Sequence, residues 1–135
     1  MGKLKVKFLM GPAECNDRNI PAYSEEFLAG LSKALGEEVV CAEMDEVKQQ
    51  ALPIYFIASG GAERGFEAAY TETKEPYILL TTPGYNSLAA SMEIMGFLEE
   101  HGLKGEILHG SHETIAKRLG VLKRVAEAKE KISHM

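Results

Sequence analysis

Short apolar runs alternate along the chain with segments in which apolar residues recur at helical spacing, and Gly or Pro residues stand at most of the junctions. The third apolar run, 52–59, lacks alternation of polar and apolar residues, which is typical of a central strand buried on both faces. Strands that alternate with helices in this way indicate repeated βα units and a mostly parallel sheet. Five strands are expected, over 6–10, 38–44, 52–59, 77–82 and 105–108.

The longer segments between these runs predict the helices. Beyond Pro21, apolar residues recur at helical spacing from Phe27 to Leu35, and Gly36 is a natural C-terminal cap. The last helical pattern starts at Ser111, and Gly120 is expected to divide it into two helices because glycine lowers helix propensity. A single helical turn is expected over 45–50, and longer helices over 62–74 and 87–101.

Together these elements predict one α/β domain over residues 1–135. Its expected architecture is a three-layer sandwich with a doubly wound, five-stranded parallel sheet in the flavodoxin-like or Rossmann-like order 2-1-3-4-5. Ligands of such sheets bind beyond the carboxyl ends of the strands, where the strand order reverses. The loops in which to seek a binding site are therefore 11–19, 59–65, 82–87 and 109–113.

Composition narrows the classes of partner. The chain has 135 residues and a net charge of -5, which argues against a nucleic-acid partner or a membrane surface. Only the segment from Leu103 onward is basic, and its basic residues are spread around the predicted helix rather than clustered. No apolar run is long enough for a signal peptide or a membrane span. Together with a count of only two cysteines, these features predict a cytoplasmic protein.

The loop after the third strand offers a candidate anion site. Ser59, Gly60 and Gly61 stand between a strand and a helix, where free backbone amides and the helix dipole favour an anion. Glu63 lies in the first helical turn, which the dipole also favours. The spacing matches neither the glycine pattern of dinucleotide-binding folds nor that of P-loops, so a tight turn is the alternative explanation. With Gly11 from the loop after the first strand, these residues form the first group of candidate ligand-binding residues.

Tyr85, Asn86 and Ser87 follow the fourth strand and form the second candidate group. Asn86 or Ser87 is a good N-cap for the helix that follows. The functional alternative is that the three residues present hydrogen-bonding groups to a polyol or to a partner subunit. The two roles are compatible.

The loop after the fifth strand contains two histidines. His109, His112 and Glu113 lie within five residues, but a histidine at a strand end and one in a first helical turn do not share a helix face. Ser111 as N-cap, with Glu113 in the first turn, accounts for the same pattern, and no metal site is expected. His109 remains a candidate ligand contact, or an acid or base.

Other ligand classes that use this fold find little support in the sequence. Cys15 follows the first strand, but a phosphatase loop needs an arginine six residues later, where this chain has Pro21. Cys41 lies in the second predicted strand and is expected in the core. The chain has no Trp to stack a flavin, and its first and third strands do not end in the acidic residues of a receiver domain.

Two short motifs occur in a meaningful order. The first is a strand followed by a Gly-Gly-x-Glu turn, and the second is an Asn-Ser turn that opens a helix of the form Asn-Ser-x-x-Ala-x-x-Glu. In this sequence they are Gly60, Gly61 and Glu63, and then Asn86, Ser87, Ala90 and Glu93. The pair resembles the amino-terminal domain of the L-fucose isomerase and L-arabinose isomerase superfamily, and the resemblance extends over about residues 52–132.

This resemblance implies a binding role rather than catalysis. In that superfamily, isomerisation of aldose to ketose depends on a divalent metal, usually manganese, whose acidic and histidine ligands belong to later domains. The expectation is therefore a non-catalytic domain without a cofactor of its own, which binds a sugar or a partner catalytic domain and builds a homo-oligomer. The alternative is a small enzyme or binding protein for a phosphorylated small molecule, with the amides of Gly60 and Gly61 as anion site and His109 or Glu63 as acid or base.

Overall fold

The computed structural model describes residues 3–11, 19–70 and 75–133, in which a five-stranded parallel sheet lies between two layers of helices. The strands are β1 (Lys3–Leu9), β2 (Glu38–Cys41), β3 (Ile54–Ile57), β4 (Tyr77–Thr81) and β5 (Gly105–Leu108). The helices are α1 (Asn19–Leu35), α2 (Met44–Val47), α3 (Glu63–Ala69), α4 (Ser87–Glu100) and α5 (His112–Ser133).

The strand order is β2-β1-β3-β4-β5, which confirms the predicted doubly wound sheet. β3 lies at its centre, and Ile57 at the end of β3 is in register with Leu9 of β1 and Thr81 of β4. The order reverses between β1 and β3, as expected for this class of fold. None of the helices in the described ranges is both long and apolar enough to cross a membrane.

Each face of the sheet carries its own apolar cluster. The cluster beneath α1 and α5 includes Phe27, Leu31, Ile54, Phe56 and Leu119. The cluster beneath α3 and α4 includes Tyr55, Ile57, Phe66, Leu79 and Ile94. Successive residues of β3 therefore enter opposite clusters, which explains why the sequence of this strand shows no polar alternation.

The outer strand β2 is partly covered by a side chain of α1. The Ser32 hydroxyl donates a hydrogen bond to the Leu28 carbonyl oxygen (2.7 Å) and accepts one from the Val39 amide (2.9 Å). Exposed backbone groups on a sheet edge can pair with strands of other chains. Because the Val39 amide is bonded to Ser32, it is not available for such pairing.

Two sequence-based predictions about single residues are wrong. α5 continues through Gly120, because Leu119 on one side and Leu122 on the other both pack on the cluster beneath α1 and α5, and this burial outweighs the lower helix propensity of glycine. Cys41 is exposed rather than in the core. Its thiol still has a raised pKa, because of partial burial and the nearby Glu25 carboxylate.

Replacing Phe56 by Ala should lower the free energy of unfolding by about 3 to 5 kcal/mol, because a large buried side chain is lost and a cavity remains. Phe56 is fully buried and stacks on Phe27 with ring centroids 5.9 Å apart. Lys33→Ala is the control, since Lys33 is exposed on α1 and its change should stay within about 0.5 kcal/mol. Urea unfolding measures both variants, and similar losses would contradict this description of the core.

Candidate functional site

The loops after β1, β3, β4 and β5 meet at one edge of the sheet, because all five strands run in the same direction. Three of these loops lie in the described part of the chain. The loop after β1 is described only as far as Gly11, so the predicted site loop 11–19, with Cys15, falls mostly outside it.

Gly11 and Ser59 join the ends of β1 and β3. The Gly11 amide donates a hydrogen bond to the Ser59 hydroxyl (2.9 Å), and the Ser59 side chain is fully buried. A Cβ added at Gly11 would lie 2.2 Å from the Gly60 carbonyl oxygen, so only glycine fits there. These two candidate residues therefore hold the loops together, and Ser59 has no surface for a ligand to contact.

The amides of the Gly60–Gly61 turn have acceptors within the chain. The Gly60 amide donates to the Tyr85 carbonyl oxygen (2.9 Å), and the Gly61 amide donates to Glu63 Oε1 (3.3 Å). Gly61 has a φ of 86°, a left-handed conformation that favours glycine. A bound phosphate would have to displace the Glu63 carboxylate from its amide.

The turn after β4 is strained. Tyr85 and Asn86 both have left-handed backbones, with φ of 54° and 60°. This conformation costs about 1 to 2 kcal/mol for a residue with a Cβ, although Asn tolerates it better than Tyr does. Strain of this kind persists only where surrounding contacts impose it, and it concentrates at binding sites. Asn86 occupies the N-cap position of α4, but its side chain makes no capping hydrogen bond.

Ser87 makes the contacts that hold this turn in place. Its side chain is 1% exposed, and its hydroxyl donates to the Ile57 carbonyl oxygen at the end of β3 while accepting a hydrogen bond from the Thr82 amide (3.0 Å). The Ser87 amide also donates to the Gly84 carbonyl oxygen (3.1 Å). Ser87 is therefore a structural link between two strand ends, while Tyr85 (37% exposed) and the exposed Asn86 remain accessible.

His109 is attached to the end of β4. The Thr81 hydroxyl donates to the Leu108 carbonyl oxygen (2.9 Å), and His109 Nδ1 lies 2.7 Å from the same hydroxyl oxygen. Because the hydroxyl has only one proton, Nδ1–H is the donor in this pair, and Nε2 is the acceptor of the neutral ring. His109 is exposed, so Nε2 can meet solvent or a ligand.

A cleft of about 320 Å³ opens at this edge between α1, the turn after β4 and the start of α5. Tyr23 forms one wall, where its ring packs edge-on against Tyr85 with centroids 5.2 Å apart. The ring also covers Gly84, since a Cβ there would lie 3.1 Å from it. The remaining lining residues are Glu26, Phe27, Pro83, Gly110, Ser111, His112 and Glu113.

His112 forms part of the inner wall. Its ring lies 4.9 Å from the ring of Phe27, and a Cβ added at Gly30 would lie 2.6 Å from its Cε1 atom. Gly30 thus gives α5 room to approach α1. The Nε2 atom of His112 is buried and has no hydrogen-bond partner among the residues that the structure describes.

The start of α5 is capped as the sequence predicts. The Ser111 hydroxyl accepts a hydrogen bond from the Thr114 amide (3.1 Å), and the Ser111 carbonyl oxygen accepts one from the Ile115 amide (3.0 Å). In the described part of the chain, no group of three or more His, Cys, Asp or Glu side chains is placed to hold a metal ion.

None of the nine candidate residues lines the cleft, although Tyr85 touches it through Tyr23. The sequence missed Tyr23 and Glu26, which belong to α1 and reach the site only because α1 packs beside α5. Their one signal was their position in the first turns of a helix that follows the first strand, because such turns lie at the carboxyl edge of a parallel sheet.

Replacing Ser87 by Ala should lower the free energy of unfolding by about 1 to 3 kcal/mol, because a buried carbonyl and a buried amide both lose their partner. Ser91→Ala is the matched control, since Ser91 is equally buried but only donates to the Ser87 carbonyl oxygen within the same helix. We expect this control to lose less than about 1 kcal/mol. Thermal or urea unfolding measures both variants. Equal losses in the free energy of unfolding would contradict the role of Ser87 as a link between two strand ends.

Comparison with known proteins adds no relative to this description. No family model matches the chain, and neither a curated protein nor a solved structure shows significant similarity to it.

Proposed function

We propose that this chain is a non-catalytic binding domain for a small hydroxyl-rich molecule, a free sugar, which docks in the cleft beside Tyr23. The observation that carries the proposal is the combination of an aromatic wall with two exposed carboxylates, Glu26 and Glu113, around a cleft at the carboxyl edge of a parallel sheet. This edge is where open α/β sheets bind their ligands.

The chemistry of the cleft suits a sugar. A sugar ring has apolar C–H faces and a rim of hydroxyl groups, so it needs an apolar surface to lie on and acceptors at its edge. Tyr23 and Pro83 supply the surface, and the Glu26 and Glu113 carboxylates supply acceptors. A volume of about 320 Å³ is at the small end of ligand sites, which fits a single sugar unit.

The likeness of the two sequence motifs to the amino-terminal domain of sugar isomerases supports the same class of ligand. On this proposal the chain binds or covers substrate, and a partner catalytic domain holds the divalent metal and carries out the isomerisation. The described residues of this chain offer no three-ligand metal group, so no chemical step is assigned to them.

A phosphorylated ligand has less support. The amides of Gly60 and Gly61 already donate to Tyr85 and to Glu63, and the cleft is bordered by carboxylates, which repel phosphate. His109 is exposed at the same edge, and among the described residues its side chain is hydrogen-bonded only to the Thr81 hydroxyl, which is neither an acid nor a base at neutral pH.

Glu113→Gln should weaken sugar binding by about tenfold or more, because a hydrogen bond to a charged acceptor contributes more than one to a neutral amide. The measurement is isothermal titration of the purified chain with a panel of pentoses, hexoses and their phosphates. Wild-type protein is expected to bind at least one free sugar, and Glu26→Gln should weaken that binding too.

Glu127→Gln is the control variant, because Glu127 is an exposed carboxylate on the same helix, about four turns beyond Glu113. It should bind like the wild type. Binding of sugar phosphates alone would favour the anion hypothesis, and binding that Glu113→Gln and Glu26→Gln leave unchanged would place the sugar elsewhere.

A further inference from the structure

The half of α5 beyond Gly120 carries an exposed apolar stripe. Val121, Val125 and Ile132 are 36%, 49% and 69% exposed, and the exposed Ala128 lies between the last two. Their spacing of four, three and four residues places them on one side of the helix, in the pattern of a helix–helix seam. These four residues are called the α5 stripe below.

Basic side chains border the α5 stripe on both sides. At 3.6 residues per turn, Arg124 and Lys131 lie along one border and Lys129 along the other, while Glu127 and Glu130 point away from it. Two α5 stripes placed against each other would bring like charges together. The stripe therefore suits an acidic helix rather than a copy of itself.

The outer face of α4 has the complementary character. Its centre is formed by Ala89, Met92 and Gly96, of which Met92 is 61% exposed. Its charged residues are all acidic and all exposed, and they are Glu93, Glu99 and Glu100. These six residues are called the α4 face below.

Gly96 on the α4 face is not explained by the fold. A Cβ added there would meet no atom within 4 Å, and Gly96 lies inside a helix, where glycine is unfavourable. Its absent side chain leaves a flat place where the backbone of α4 can be approached closely by another helix.

We propose that copies of this chain associate head to tail, with the α5 stripe of one copy seated on the α4 face of the next. Arg124, Lys129 and Lys131 then face the three glutamates of the α4 face. Both surfaces are twelve residues long, about 18 Å of helix, so they match in length. α4 and α5 cover opposite faces of the sheet, so one copy can use both surfaces at once.

This contact joins two different surfaces, so it is heterologous and generates a ring or an open chain rather than a closed two-fold dimer. It needs no sugar and no residue of the cleft beside Tyr23. Its failure would therefore leave the proposed binding function intact, and the reverse is also true.

Sedimentation velocity over a wide range of protein concentrations tests this assembly with two variants that each remove one surface. Val125→Asp places an acidic group in the α5 stripe, and Met92→Lys places a basic group on the α4 face. The wild type should associate, and each variant alone should stay monomeric, because each lacks one half of the contact.

Sedimentation of a mixture of the two variants is the decisive measurement. The intact α5 stripe of Met92→Lys can still dock on the intact α4 face of Val125→Asp, so the mixture should form a dimer that grows no further. Association of the wild type should weaken as salt is raised, because the facing charges are screened.

Three results would overturn the proposal. They are a monomeric wild type, a mixture that stays monomeric, and association that only one of the two variants removes, which would indicate a contact between like surfaces. Ala34→Asp on α1 and Glu67→Lys on α3 are exposed control substitutions and should associate like the wild type. Circular dichroism and thermal unfolding verify that all four variants are folded.

Discussion

The carboxyl edge of this protein depends on the hydroxyl of Ser87. This hydroxyl accepts a hydrogen bond from the Thr82 amide after β4 and donates one to the Ile57 carbonyl oxygen at the end of β3. It therefore fixes the path of the turn between β4 and α4. The two left-handed residues before it, Tyr85 and Asn86, hold their conformation because Ser87 follows in a buried, fully bonded position and because Gly60 donates to Tyr85. The positions of the accessible Tyr85 and Asn86 side chains thus depend on the buried side chain of Ser87.

The fold could be read from the sequence because the inner strands β3 and β4 are continuous apolar runs with turn residues close to their ends. β5 was predicted at Gly105–Leu108 to the residue, and β3 was recognised from its lack of alternation. The predicted break of the helix at Gly120 was wrong because helix propensity is a local quantity. Leu119 and Leu122 instead bury their side chains against residues far away in the sequence. The prediction that Cys41 lies in the core was wrong because β2 is at the edge of the sheet, which the local sequence does not show.

The site was predicted less completely. The sequence placed the candidate residues at the carboxyl edge of the sheet, where the structure also has them, but it could not show which side chains turn inward. Both Ser59 and Ser87 proved to be buried links. Tyr23 and Glu26 were missed because nothing local marks a helix residue as part of a site. They approach Ser111 and Glu113 only through the packing of α1 beside α5, a contact made close by Gly30 under the ring of His112.

α5 connects the cleft beside Tyr23 to the α5 stripe. Its first turn, with Ser111 before it, borders the cleft, and its last three turns carry the α5 stripe. Because the helix is unbroken at Gly120, it is a single rod of 22 residues, about 33 Å long. A ligand in the cleft changes the assembly only if it binds associated and free copies with different affinity, and the same coupling would then make assembly change ligand affinity by an equal factor. A rigid helix is one element that can carry such coupling, and the unbroken α5 joins the first turn at the cleft to the α5 stripe.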